Sequence, residues 1–263
     1  MKLAGRNGAL PKMTISETVQ FMQDTGYDAI ELSALRENAV LPEVTEDYMI
    51  RHIMECVEKK PGFFVSALSC HANYVVDDFI YSVQKRLLRT AHRYGTDIVI
   101  MSTFVPYAER ENHTEELYEK LIDRTRSLCR IAEQEGVRIA IEMEPNTLLH
   151  DIRGFLQVAK AVASPMLKTN LDIGHLFLSE PDLNEGIAHL KDYTVHGHID
   201  NMCRGEHCHK LPWDGDIDLL DACRCLKTNG FDGTLSLDLY LQDYAAVSPA
   251  CVQYIKEKVF SQI

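Results

Sequence analysis

Several short apolar runs in this chain end in carboxylates or imidazoles. Leu171-Asp172-Ile173-Gly174-His175 is the densest case: a strand-like run passes into a turn across a glycine. Gly174 is expected to turn the backbone sharply so that Asp172 and His175 lean into one cavity. Elsewhere the chain offers Glu142-Met143-Glu144, His196-Gly197-His198-Ile199-Asp200 and the terminal Asp238 of Thr234-Leu235-Ser236-Leu237-Asp238. Side chains alternate along a strand, so Glu142 and Glu144 face the same way, as do His196, His198 and Asp200. Buried charges of this kind are costly unless they are paired or ligate a cation. Glu142, Asp172, His198 and Asp238 could surround one ion, with His196 competing for the place of His198. Carboxylate and imidazole donors suit Zn, Mn, Mg or Co.

The other candidates also sit at strand ends. Glu31 closes the second run, His71 follows the third, and His207, Cys208 and His209 lie in the loop after the seventh. His52, His92, His113, His150 and His189 fall on helices or loops away from those ends and read as structural. Trp213 is the sole Trp and lies in a charged loop, where it would cover substrate or cap the fold.

The elements that position these groups follow a repeated phrase. Thr25-Gly26, Tyr94-Gly95, Glu135-Gly136 and Asn229-Gly230 each end a helical stretch and precede a short β-rich run. Glycine in the left-handed conformation ends helices in this way. The runs are apolar on both faces, as buried parallel strands are. Strands are predicted at Lys2–Gly5, Asp28–Leu32, Phe63–Ser69, Asp97–Met101, Arg138–Met143, Leu167–Asp172, Tyr193–His198 and Thr234–Leu239. Helices are predicted between them, the first capped by Thr14 or Ser16 and the last running from Pro249 to Phe260. This is the pattern of an α/β (β/α)8 TIM barrel spanning 1–263 as a single domain. A doubly wound sheet is the alternative, but no G-x-G-x-x-G or P-loop fingerprint follows any strand.

Composition narrows the class. With 263 residues and 46% hydrophobic content the chain can bury a full core. The formal net charge of −12 disfavours nucleic acid and acidic membranes. No apolar run is long enough to span a membrane, and Met1-Lys2-Leu3-Ala4-Gly5-Arg6 is too short and polar for a signal peptide. A cytoplasmic location and reduced cysteines are expected. Cys203 and Cys208 lie in the His-rich loop and could bind zinc, but no second pair at finger spacing accompanies them.

Taken together, Glu142, Asp172-Ile-Gly-His175, His198-Ile-Asp-Asn201, Pro212-Trp-Asp-Gly-Asp216 and Gly230-Phe-Asp-Gly-Thr-Leu-Ser-Leu-Asp238 resemble the sugar phosphate isomerase/epimerase family. This is a branch of the xylose isomerase-like TIM barrels, which include ketose 3-epimerases, inosose dehydratases, hydroxypyruvate isomerases and endonuclease IV. The likeness runs over essentially the whole chain. It implies that Glu142, Asp172, His198 and Asp238 are divalent-metal ligands, with Mn2+ foremost and Mg2+, Co2+ or Zn2+ as alternatives. It implies that Glu142 and Asp238 form the acid/base pair and that His71, His175 and His209 face substrate, with Glu144 added by the alternation argument. Three departures stand out. The last ligand is Asp rather than the usual Glu. Strand four ends in Met101-Ser102, without the metal-binding His of the nuclease. Trp213 stands where Gly is usual.

The implied activity is a metal-dependent isomerase or epimerase of a keto-sugar or polyol, acting through an enediolate. Alternatives are a lyase or dehydratase using the same enolate, an endonuclease IV-like phosphodiesterase, and a non-catalytic sugar-binding subunit. The expected partner is a small sugar, with homo-oligomers possible.

Overall fold

A computed structural model describes residues 1–36, 39–105 and 114–263. His113, read above as structural, lies outside them.

Eight parallel strands close into a barrel: β1 (Lys2–Arg6), β2 (Ala29–Ser33), β3 (Phe64–Asn73), β4 (Ile98–Ser102), β5 (Arg138–Glu142), β6 (Leu167–Asp172), β7 (Thr194–Ile199) and β8 (Thr234–Leu237). Each strand pairs with its neighbours in sequence, and β8 returns to β1 with Lys2 opposite Thr234. The helices α1 (Ile15–Thr25), α2 (Asp47–Val57), α3 (Asp78–Thr90), α4 (Glu115–Glu135), α5 (Ile152–Val162), α6 (Ile173–Ser179), α7 (Leu183–His189), α8 (Leu219–Thr228) and α9 (Tyr244–Tyr254) alternate with them. Strand residues such as Leu3, Ile30, Val99, Ile139 and Leu171 are buried in one continuous core with helix residues such as Val19, Leu87, Leu128 and Phe155. Apolar area removed from water on this scale is the dominant stabilising term.

The helix ends are set by local chemistry. Gly26, Gly95, Gly136 and Gly230 all adopt positive φ, between 68° and 94°. Thr14 caps α1 through a reciprocal capping box with Glu17. Ser16 instead bonds the His52 ring at 2.8 Å.

The fold corrects or refines the local expectations at four places. Gly174 does not turn the chain; it lies in the first turn of α6, which begins directly after β6. Its value is space, since a Cβ there would meet Asp200 Oδ1 at 2.4 Å and Met202 Cε at 2.6 Å. The loop after β7 contains an antiparallel hairpin, Asn201–Cys203 with Glu206–Lys210. The last helix starts at Tyr244 because Asp243 caps it, accepting from the Ala246 N–H, and Pro249 sits inside it. Trp213 packs edge-on against Tyr254 and is not among the residues lining the cavity at the barrel mouth.

Candidate functional site

The C-terminal ends of the strands bring Glu142, Asp172, His198 and Asp238 together, all buried. One ligand atom from each lies within 4.8 Å of the others. His198 Nδ1 is 3.3 Å from Glu142 Oε1 and 3.5 Å from both Asp172 Oδ2 and Asp238 Oδ2. Asp172 is also the N-cap of α6: its Oδ1 accepts the His175 N–H at 2.7 Å, which turns Oδ2 into the cluster. Asp172 Oδ2 and His198 Nδ1 have no hydrogen-bond partner despite full burial. Buried polar atoms are rarely left in this state. Three carboxylates and an imidazole aimed at one point, two of their atoms orphaned, are a fitting donor set for a divalent cation.

A ring of supporting groups orients this set. The far nitrogen of His198, Nε2, lies 2.9 Å from Glu31 Oε2. Glu31 is fully buried and also accepts from Ser69 Oγ at 2.7 Å. His71 bridges outward, with Nδ1 3.0 Å from Glu142 Oε2 and Nε2 3.3 Å from Glu31 Oε1. Arg6, at the end of β1, pairs through Nη1 with Asp238 and through Nε with Glu31 at 3.3 Å. His196 lies deeper in the barrel, bonding Asn170 at 2.8 Å; burial pushes it down to about 3, so it is neutral and outside the cluster.

Charge is divided unevenly between floor and rim. Burial opposes ionisation of Glu142, but His198 and then His71 hold it well below the usual carboxylate range. Burial likewise opposes Asp238, and Arg6 outweighs it, keeping Asp238 low. Glu31 is held low in the same way, first by Arg6 and then by His198. At the rim the balance reverses: burial pushes Glu144 up to about 7, and burial followed by Asp172 pushes Asp200 up to about 7.

Above the floor, three imidazoles converge. His175 Nε2 is 3.0 Å from His207 Nε2, which is 2.9 Å from His209 Nε2. The outer nitrogens of two of them are engaged: His175 Nδ1 is 3.2 Å from Glu142 Oε1, and His209 Nδ1 is 2.9 Å from Asp200 Oδ2. Three facing nitrogens can share a proton or take a cation. Against burial, Asp172 raises His175 to about 10 and Asp200 raises His209 to about 9, while burial and then His175 lower His207 to about 4. His209 takes φ 37°, a left-handed backbone for a non-glycine residue, and strain of this kind clusters at functional sites.

A cavity of about 760 Å³ opens on this floor. Glu142, Glu144, His71, His175, His209, Asp238 and Arg6 line its polar side, with Leu10, Met13, Leu35, Phe104 and Tyr240 on its apolar side. Six of the eight strand-end candidates line this cavity, and the other two, Asp172 and His198, lie in the buried cluster with Glu142 and Asp238. The strand-end reading passed over Arg6, and it gave no partner to Glu31, Asp200 or His207. A general signal for Arg6 exists: a buried acidic cluster requires a counter-charge, and Arg6 is a cation at the C-terminal end of a barrel strand.

The profile of the family described as xylose isomerase-like TIM barrel matches residues 19–252. A 3-dehydroshikimate dehydratase of Bacillus anthracis is 22% identical over 200 residues, 75% of this chain and 70% of that protein. Among solved structures, the IOLI protein with a bound zinc atom superposes with TM-score 0.78 at 22% identity, covering 98% of this chain and 96% of that one. D-psicose 3-epimerase from Clostridium cellulolyticum H10, solved with D-tagatose, superposes with TM-score 0.79 at 15% identity, covering 97% and 98%. The closed barrel, the strand-end cluster and the matched span agree: this chain belongs to the xylose isomerase-like TIM barrel family.

Proposed function

We propose that the protein is a divalent-metal-dependent isomerase or epimerase of a keto-sugar or polyol, working by proton removal next to a carbonyl through an enediolate. The observation that carries this reading is the buried four-ligand cluster, two of whose atoms are orphaned, at the polar side of an open cavity. Glu142, Asp172, His198 and Asp238 would hold the ion, Mn2+ being our assignment. When bound, a divalent cation supplies Lewis-acid polarisation of adjacent carbonyl and hydroxyl oxygens.

The remaining roles belong to side chains. Glu142, kept ionised, is the base that removes the carbon-bound proton. Asp238 is equally ionised, and Arg6 fixes its position; we assign it first as a ligand and second as the base for the reverse direction. Glu144 lines the cavity with its proton affinity near neutrality, so it can return a proton to substrate at physiological pH. His71, His175 and His209 orient hydroxyls along the same wall.

A second reading, loss of water from the same enolate, is favoured by two observations. One is the dehydratase relative. The other is Glu144, a carboxyl able to protonate a departing hydroxide.

The test is exchange in deuterated buffer with added Mn2+, using D-psicose, D-tagatose, D-fructose and 3-dehydroshikimate as probes and NMR as the readout. We expect exchange of the proton beside the carbonyl, abolished by chelation and by Glu142→Gln. A new ketose assigns epimerisation and a new aldose isomerisation; an unsaturated, water-loss product assigns the lyase. Full-rate exchange in chelated protein would overturn the reading.

A further inference from the structure

The hairpin after β7 has two chemically distinct faces. Its strands pair antiparallel with Cys203 opposite Glu206 across the Arg204–Gly205 turn. Side chains alternate along a strand. His207 and His209 therefore turn inward, where they meet His175. Glu206 and Cys208 turn the other way, alongside Cys203. On that second face the two sulfurs and a Glu206 oxygen lie within 4.8 Å of one another. The Cys203 N–H donates to the Cys208 sulfur at 3.4 Å, and both thiols are free. The turn itself is fastened down. Arg204 N–H donates to Asp216 Oδ2 at 2.8 Å, while its guanidinium donates to the Phe177 carbonyl and lies 3.6 Å over the Phe177 ring.

We propose that Cys203, Glu206 and Cys208 form a second metal site, separate from the barrel-mouth cluster, which takes a thiophilic divalent cation such as Zn2+ and locks the hairpin that presents His207 and His209. Two thiolates and a carboxylate supply three ligands of a tetrahedral set, leaving one position for water. Soft thiolates select Zn2+ over Mg2+ or Mn2+, whereas the oxygen-rich floor of the barrel suits the harder ions. Partial burial keeps the Cys208 thiol above its ordinary range, so binding releases the thiol proton to solvent. Fixing Glu206 and Cys208 on one face fixes His207 and His209 on the other, because the four alternate along one strand. The site stands whatever the reaction at the barrel mouth.

The experiment is a Co2+ titration of the reduced full-length protein, comparing wild type, Glu142→Gln and Cys203→Ser/Cys208→Ser. A thiolate-to-cobalt charge-transfer band is expected in wild type and in Glu142→Gln and is lost in the double serine variant. A second measurement needs no variant. Zn2+ should slow alkylation of Cys203 and Cys208 by roughly tenfold or more in peptide mass spectra, leaving Cys225 on α8 unaffected. The proposal is overturned if no band forms in reduced wild type at saturating Co2+, if the band survives the double substitution, or if Zn2+ does not protect the two thiols. A Cys203–Cys208 disulfide in protein purified without reductant, with no band after reduction, would replace the metal site by a redox pair.

Discussion

Glu31 Oε2 lies 2.9 Å from His198 Nε2, on the edge of the ring opposite the ligand cluster. A carboxylate behind a ligating imidazole fixes the tautomer and sharpens the donor power of the nitrogen in front. Glu31→Gln keeps the shape and removes the charge. We expect it to weaken binding of Mn2+ about tenfold to a hundredfold, measured by equilibrium dialysis, with little change in the fold by circular dichroism. An unchanged dissociation constant would remove Glu31 from the site.

Arg6 neutralises two buried carboxylates at once, Glu31 and Asp238. Arg6→Met removes the guanidinium from both, leaving Glu31 with His198 and His71. Breaking such a pair costs about 3–5 kcal/mol, so the metal-free variant should melt well below wild type. The same change removes a positive charge beside the cluster, so Mn2+ should bind more tightly and restore much of the lost stability. Calorimetric melting with and without Mn2+ checks both halves. Weaker Mn2+ binding together with lower stability would show that Arg6 builds the site rather than balancing it.

Glu144 gives a pH signature. Burial raises its folded-state affinity for a proton from the ordinary glutamate value to about 7. The folded state therefore holds a proton that the unfolded state releases between about pH 4.5 and 7. This contribution to stability is complete below that window and is lost as pH rises through it. Relative to Glu144→Gln, metal-free wild type should lose about 3 kcal/mol across the window, read from urea midpoints at several pH values. Parallel pH profiles for the two proteins would refute the assignment.

Gly174 lies in the first turn of α6, where alanine ordinarily favours a helix by up to about 1 kcal/mol. Here the added methyl would meet Asp200 Oδ1 at 2.4 Å and Met202 Cε at 2.6 Å. We expect Gly174→Ala to destabilise by about 1–3 kcal/mol and to disturb His209 through Asp200. Gly95→Ala is the control: nothing lies within 4 Å of its Cβ, and only its φ of 73° is strained, costing roughly 1 kcal/mol. A neutral Gly174→Ala would mean that Asp200 moves aside freely.

The barrel was legible because its signals are local. A glycine after a helix and a short apolar run after the glycine are read within ten residues, and Gly26, Gly95, Gly136 and Gly230 all take the positive φ that such a reading requires. The ligand candidates were legible because each one ends a strand, and a barrel gathers strand ends into one space. What escaped the sequence depends on contacts far apart in the chain. Arg6 meets Asp238 across 232 positions, and nothing near Arg6 announces the acid it neutralises. Glu31 and His198 are separated by 167 positions. Gly174 was misread for a different reason: glycine serves turns and close packing alike, and only the position of Asp200 decides between them. The inward and outward faces of the 206–210 strand needed its pairing with 201–203, and hence the register across a bulge.

Asp172 spends one oxygen on the first turn of α6 and the other on the ligand cluster. Asparagine could still cap the helix but would bring a neutral donor set to the cation, and glutamate could reach the cluster but is a poor cap. No other side chain satisfies both demands, so sequence drift at this position is penalised twice, once in folding and once in chemistry. The α6 helix is also a natural reporter. Slowed amide hydrogen exchange at His175 on adding a cation would register occupancy of the cluster without any substrate being known.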